Sequence, residues 1–132
     1  LIVIDLDGFK AINDIYGHLA GDKVLSHVSR FLVKSVREGD VVARLGGDEF
    51  AILMPDVGRR DADLRAAAIS DSLNKLIVPW DGRAITVRGS VGGACYGPDD
   101  DMESIYKRAD EDMYRQKSSS AAIRPTGGKL DA

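Results

Sequence analysis

Cysteine is almost missing from this 132-residue chain, with Cys95 as its single copy. A disulfide framework within the chain is therefore excluded, and a reducing cytoplasm is compatible with the sequence. Cys95 lies in an apolar, strand-like run and reads as a small buried hydrophobe. Histidine is scarce too, and no second His or Cys stands at ligand spacing from His18, which leaves no zinc site of thiolates and imidazoles. Positive charge is not in excess: the net charge is −3, so no bulk basic field invites a nucleic-acid backbone. Any phosphate ligand would need local cations or metals. No apolar run is long enough to span a membrane, and no secretory leader pattern opens the chain. What remains, 44% apolar and 30% charged residues, is ordinary for a globular domain with one core.

The most informative stretch is Arg44-Leu45-Gly46-Gly47-Asp48-Glu49-Phe50. Two glycines permit a tight bend and a close approach by another molecule, and two carboxylates follow. Val41-Val42-Ala43 on one side and Phe50 to Met54 on the other read as strands, so the motif is the tip of a β-hairpin. A plain hairpin with solvated acids fits these residues equally well. Upstream, the continuous run Leu1 to Ile4 reads as a strand buried on both faces. The chain opens directly on it, as an excised domain would. Asp5-Leu6-Asp7-Gly8 ends this strand and can face a cation or simply mark a turn.

A short helix follows over residues 9–16. Residues 17–22 form a break, with Asp22 as N-cap of a helix over about 23–37 and Gly39 as its C-terminal stop. Leu25, Val28, Leu32 and Val36 give that helix an apolar stripe. Asp61 caps a third helix whose buried side carries Leu64, Ala68, Ile69, Leu73, Leu76 and Ile77. After a turn at Asp81-Gly82, residues 84–87 and 90–96 are strand-like. Asp99, Asp100 and Asp101 favour the start of a last helix bearing Ile105, Ala109 and Met113. The domain is expected over residues 1–117, with a loose tail over 118–132.

The resulting order is strand, helix, strand, strand, helix, strand, helix. It predicts an α+β, ferredoxin-like split βαβ core with a mainly antiparallel sheet flanked by helices. In that topology the first and third strands are antiparallel neighbours, so Asp5 at the end of one lies beside Asp48 at the start of the other. Paired carboxylates at adjacent strand ends suit two-metal phosphoryl or nucleotidyl transfer.

The hairpin motif, together with Asp5 to Lys10, Asn13-Asp14, Gly17-His18, Gly21-Asp22, Ser90-Val91-Gly92, Ala109-Asp110, Met113-Tyr114 and Lys117, resembles the GGDEF family of diguanylate cyclases. The likeness runs in order from Asp5 to Lys117. It implies a palm-like core similar to adenylyl cyclase catalytic domains. It also implies condensation of two GTP into cyclic di-GMP, with release of pyrophosphate, by a homodimer holding one GTP per subunit in the cytoplasm. Upstream sensors or a membrane anchor would belong to a larger protein. Asp5, Asp48 and the Leu6 carbonyl are the implied ligands of two Mg²⁺, with Mn²⁺ as the alternative. Glu49 is implied as a metal neighbour or base. Lys10 and Lys117 would bind phosphate, Gly46 and Gly47 would let the nucleotide lie on the hairpin, and Asn13 and Asp22 would read guanine. An N-cap role for Asp22 stays open beside this one.

Arg37-Glu38-Gly39-Asp40 resembles the family's RxxD inhibitory site for cyclic di-GMP. The alternative is a helix-terminal arginine followed by a turn. A third cation of that site is not evident, with Arg65 as the nearest candidate. Two departures stand out. The family's helix and DxLTxLxNR-like segment do not precede the first strand here. After Lys117, Ser118-Ser119-Ser120-Ala121 replaces the family's second phosphate cation, unless Arg124 substitutes for it. A non-catalytic module that senses GTP or cyclic di-GMP is the competing function.

Overall fold

The computed structural model describes residues 1–123, with side chains through Ser118. The elements run β1 (Ile2–Leu6), α1 (Phe9–Tyr16), α2 (His18–Ser35), β2 (Val41–Gly46), β3 (Glu49–Leu53), α3 (Arg59–Leu73), β4 (Ile77–Trp80), β5 (Arg83–Thr86), β6 (Gly89–Gly93) and α4 (Met102–Ile123). The main sheet has the order β2-β3-β1-β6, and every pairing in it is antiparallel. This is the split βαβ arrangement expected from the element order.

Side chains alternate across β1, and both sides are covered. Ile2, Ile4 and Leu6 join Phe50, Ile52 and Val91 in a core with Ile12, Val24, Val28 and Leu32 of the first two helices and Ile69 and Leu73 of α3. Val3 and Ala51 point the other way and are buried, as are Ile105, Ala109 and Met113 of α4. Asp5 shares the α4 side of the strand with Val3. Two glycines make the close packing possible. A Cβ on Gly92 would overlap the Met113 backbone and come within 2.7 Å of its Cβ, so α4 lies directly on β6. A Cβ on Gly21 would stand 3.0 Å from Asn13 Cγ, so α1 and α2 touch there.

Several expectations are corrected. The break between the first two helices is Gly17 alone, whose φ of +95° turns the chain. Asp22 therefore lies inside α2 and caps nothing, because the positive-φ glycine has already ended α1 and begun α2. His18 opens α2 and is exposed. That helix ends at Ser35, and Gly39 (φ +93°) sits in the turn leading to β2 instead. Gly58, not Asp61, is the N-cap of α3; Asp61 lies in the first turn. The third helix stops at Leu73, and Leu64, Ala68 and Ile77 are exposed. Ile77 belongs to a separate two-stranded hairpin, β4–β5, closed by Asp81-Gly82. Its first strand, Ile77-Val78-Pro79-Trp80, carries little strand pattern in the sequence, because it is short and contains proline. Cys95 is exposed, since β6 ends at Gly93. The acidic loop does start α4: the Ser104 N–H donates to Asp101 Oδ1 (2.9 Å) and the Asp101 N–H donates to Ser104 Oγ (3.0 Å), a reciprocal cap. That helix continues past Lys117 to Ile123, and the rest of the expected tail, with Arg124, lies outside the described residues.

Candidate active site

The site forms where β1 and β3 end side by side. Asp5 pairs in register with Glu49 on β3 and with Ser90 on β6, so the three side chains form a row across the sheet. The Leu6 N–H donates to the Asp48 carbonyl (3.1 Å), which pins the hairpin tip to the end of β1. The turn itself is made by Gly46 (φ +148°) and Gly47 (φ +46°), after an irregularity at Arg44 to Gly46. No atom stands within 4 Å of a Cβ built on either glycine, so the tip is open on its outer side. Arg44 Nε donates to the Gly47 carbonyl (3.0 Å) and stiffens the turn.

Acidic groups outnumber cations here. Burial, reinforced by the charge of Asp5, pushes the Asp48 carboxyl above the usual carboxylate range. Lys117 Nζ, from α4, lies 2.9 Å from Asp5 Oδ2 and 3.4 Å from Asp7 Oδ1. Burial alone would lower its pKa; the two carboxylates outweigh that and raise it. Ser90 Oγ donates to both Asp7 oxygens (3.1 Å each), and the Asp7 N–H donates to the Arg88 carbonyl (2.8 Å). Asn74 in turn clamps Gly89, accepting from its N–H (2.9 Å) and donating to its carbonyl (3.1 Å), which sets where β6 begins.

The structure thus brings Asp5, Asp48, Glu49 and Lys117 together, with Gly46 and Gly47 at the same end. Asn13 packs against Gly21, the residue before Asp22 in α2, and Asp22 is exposed. Lys10 is exposed on α1, which leaves β1 from this same end. Sequence reasoning gave Asp7 only the open choice of facing a cation or marking a turn, and gave Tyr106 no role. The Asp5-Leu6-Asp7 alternation was a visible signal for the first. Nothing local signalled the second: Tyr106, on α4, donates its hydroxyl to Glu49 Oε1, and that bond, with burial, pushes the phenol up to about 12.

Among the described residues, no three His, Cys, Asp or Glu side chains form a ready-made metal cage. The donor set of Asp5, Asp48 and the neighbouring Leu6 backbone nevertheless suits Mg²⁺. That ion needs one or two carboxylates and takes its other ligands from water and substrate phosphates. The raised Asp48 carboxyl marks a spot where added positive charge would be welcome.

Arg37 and Asp40 lie at the far end of β2. Asp40 Oδ2 accepts from Arg65 (2.7 Å) and from the Arg37 N–H (2.9 Å), and Arg37 Nε is 3.7 Å away. Burial would raise the Asp40 carboxyl, but these hydrogen bonds and both guanidinium charges outweigh it and hold it low. The Arg65 Nη1 atom is buried without a hydrogen-bond partner. The cation suggested from the sequence is therefore in contact with Asp40.

An antiparallel β2-β3-β1-β6 sheet flanked by helices, with carboxylates at its β1–β3 end, defines an α+β domain of the split βαβ class. The family profile described as "Diguanylate cyclase, GGDEF domain" matches residues 1–122, and the chain belongs to that family. It is 37% identical over 120 residues to diguanylate cyclase A of Treponema denticola, covering 90% of this chain and 32% of that protein. It is 44% identical over 92 residues to probable diguanylate cyclase DgcE of Escherichia coli, covering 70% of this chain and 8% of that protein. Among solved structures, the diguanylate cyclase SiaD of Pseudomonas aeruginosa, in complex with its activator SiaC, superposes with a TM-score of 0.84. There the identity is 33%, with 89% of this chain and 45% of that one covered. The GGDEF domain of DgcB from Caulobacter crescentus, in complex with c-di-GMP, gives a TM-score of 0.83 at 26% identity, covering 89% and 71%. The chain thus spans under a third of the length of these two curated relatives. Among the described residues no helix is long and apolar enough to cross a membrane.

Proposed function

We propose that this domain is a diguanylate cyclase that joins two GTP into cyclic di-GMP, each of two copies holding one GTP. The observation that carries the reading is the meeting of Asp5 and Asp48 at the open glycine tip, with Lys117 beside them. Asp5, Asp48 and the Leu6 carbonyl would hold Mg²⁺ or Mn²⁺, which when bound lowers the pKa of the attacking hydroxyl and neutralises phosphate charge. Each 3′-hydroxyl attacks the α-phosphorus of the other GTP, forming one phosphodiester and expelling one pyrophosphate. Lys117 is placed to exchange its carboxylate partners for phosphate oxygens, with Lys10 as a second phosphate cation. Asn13 and Asp22 offer acceptors to the guanine N1–H and amino group, donors that adenine does not present in that arrangement. Such a reaction belongs in the cytoplasm, where GTP is supplied.

Product braking at Arg37 and Asp40 is part of the proposal. Planar guanidinium groups suit phosphate and guanine edges; Arg37, with its side chain 58% exposed, is the one open to a ligand, while Arg65 holds Asp40. The pair is remote from the hairpin tip, so inhibition would hold two domains apart rather than block GTP.

One observation favours a sensing module instead: Asp5 and Asp7 already share the Lys117 ammonium, which satisfies them without a metal. Incubation with Mg²⁺ and GTP, with the product identified by mass, separates the two. Cyclic di-GMP with two pyrophosphates per product supports the cyclase. Bound, unconverted GTP supports the sensor.

A further inference from the structure

Glu49 has no defined part in the scheme above, yet it sits in the middle of the site. It opens β3 directly after Asp48 and pairs in register with Asp5. One of its two carboxylate oxygens, Oε1, accepts the Tyr106 hydroxyl. Tyr106 and Lys117 lie about three turns apart on one face of α4. Ala109 and Met113, between them, are buried, and Met113 meets Gly92 of β6. The same helix therefore reaches the acidic row at two points, Lys117 at Asp5 and Tyr106 at Glu49, from a base that cannot shift without disturbing the β6 contact.

A glutamate at a strand end samples many rotamers, and ordering it costs conformational entropy. A donor held by a packed helix supplies that ordering before any ligand arrives. We propose that Tyr106 is a positioning residue. Its hydroxyl holds one oxygen of Glu49 against α4, so that the other is presented in a fixed place beside the cation-binding pair Asp5 and Asp48. This rests on the reading of Asp5 and Asp48 as cation ligands. Since no three carboxylates among the described residues form a cage, Glu49 then reaches the cation through one of its waters, as a pre-set outer-shell oxygen and not as a mobile general base.

Tyr106→Phe keeps the ring and its packing and removes only the donor. Mn²⁺ binding, followed by electron paramagnetic resonance with an α,β-methylene analogue of GTP present, is measured for the unaltered protein, Tyr106→Phe, Glu49→Gln and the double variant. Outer-shell partners of metal sites are typically worth about 10- to 100-fold in affinity. The expected result is a weakening of about tenfold in Tyr106→Phe at unchanged melting temperature. No further loss is expected when the change is made on top of Glu49→Gln, because the two residues act as one unit. Unaltered Mn²⁺ affinity in Tyr106→Phe, a fall in melting temperature alone, or losses that simply add would each overturn the inference. Assaying the same samples for cyclic di-GMP keeps the two readings apart. The Mn²⁺ pattern without product leaves the positioning role standing and removes the cyclase. Product with no Mn²⁺ effect of Tyr106→Phe does the reverse.

Discussion

Asp48 is held by the fold in a place that disfavours its charge. Its pKa is raised by burial and by the charge of Asp5. A carboxyl with a higher pKa in the folded than in the unfolded chain favours folding at low pH, and that contribution is lost as pH rises through the folded value. At neutral pH the ionised side chain therefore opposes folding. Asp48→Asn should raise the melting temperature in divalent-free buffer while lowering turnover at least about a hundredfold, the scale of a lost electrostatic stabiliser. An unchanged or lower melting temperature would show that the site is not strained. Asp40 has the opposite sign. Its pKa is lowered, so its stabilisation is present at neutral pH and lost as pH falls below the ordinary carboxylate range. The side chain of Asp40 is 2% exposed and that of Arg65 20%, whereas Arg37 is 58% exposed. Asp40→Ala should accordingly cost about 2 kcal/mol, somewhat under the value for a fully buried pair. Arg37→Ala should cost less than about 0.5 kcal/mol. Urea unfolding of the two variants checks the contrast. Arg37 is thus the cleaner probe of the proposed brake: its loss should weaken cyclic di-GMP binding by calorimetry without loosening the fold.

The element that most constrains the site is α4. It supplies Lys117 to Asp5 and Tyr106 to Glu49, and it rests on β6 so closely that only glycine fits at position 92. The atoms a Cβ would strike belong to the Met113 backbone, which cannot swing aside. Gly92→Ala should therefore destabilise the domain by about 3 kcal/mol, the upper part of the range for overpacking. It should also weaken Mn²⁺ binding, because α4 would be lifted from the acidic row. A variant of normal stability would mean that α4 is able to slide along β6. Gly46 is the contrast. No atom lies within 4 Å of its would-be Cβ, so a substitution there strains only the local backbone and the approach of a nucleotide.

Across the whole molecule, one copy holds a single set of carboxylates and a single hairpin tip, which is half of what joining two GTP requires. Specific activity at saturating GTP should rise with protein concentration through the monomer–dimer range. Flat activity, with dimerisation confirmed by sedimentation, would contradict the two-copy scheme. The proposed base preference would arise at the α1–α2 contact, where Asn13 packs against Gly21, the residue before Asp22. GTP should be used far better than ATP, and Asp22→Ala should erode the difference, because a site built to accept particular donors rejects a base without them. Equal rates with both nucleotides in the unaltered protein would remove Asn13 and Asp22 from recognition.

Much of this was legible in residue order alone. Continuous apolar β1, the stripe of α2 and the Gly46-Gly47 turn between two strand-like runs carry the split βαβ order. That order is enough to bring Asp5 beside Asp48, because antiparallel neighbours must place the end of one strand at the start of the other. The resemblance added roles to those positions but did not alter the geometry. What depended on tertiary structure were contacts between elements remote in sequence. Tyr106 meets Glu49 and Lys117 meets Asp5 only because α4 crosses the sheet at one angle, set by Gly92 against Met113. Arg65 meets Asp40 only because α3 packs against α2, whose end leads into the turn that carries Asp40. The β4–β5 hairpin escaped because four residues with a proline carry too little pattern. Asp22 reads as a cap in sequence but lies within α2, because the positive-φ Gly17 turns the chain in a single residue, which no helical periodicity records.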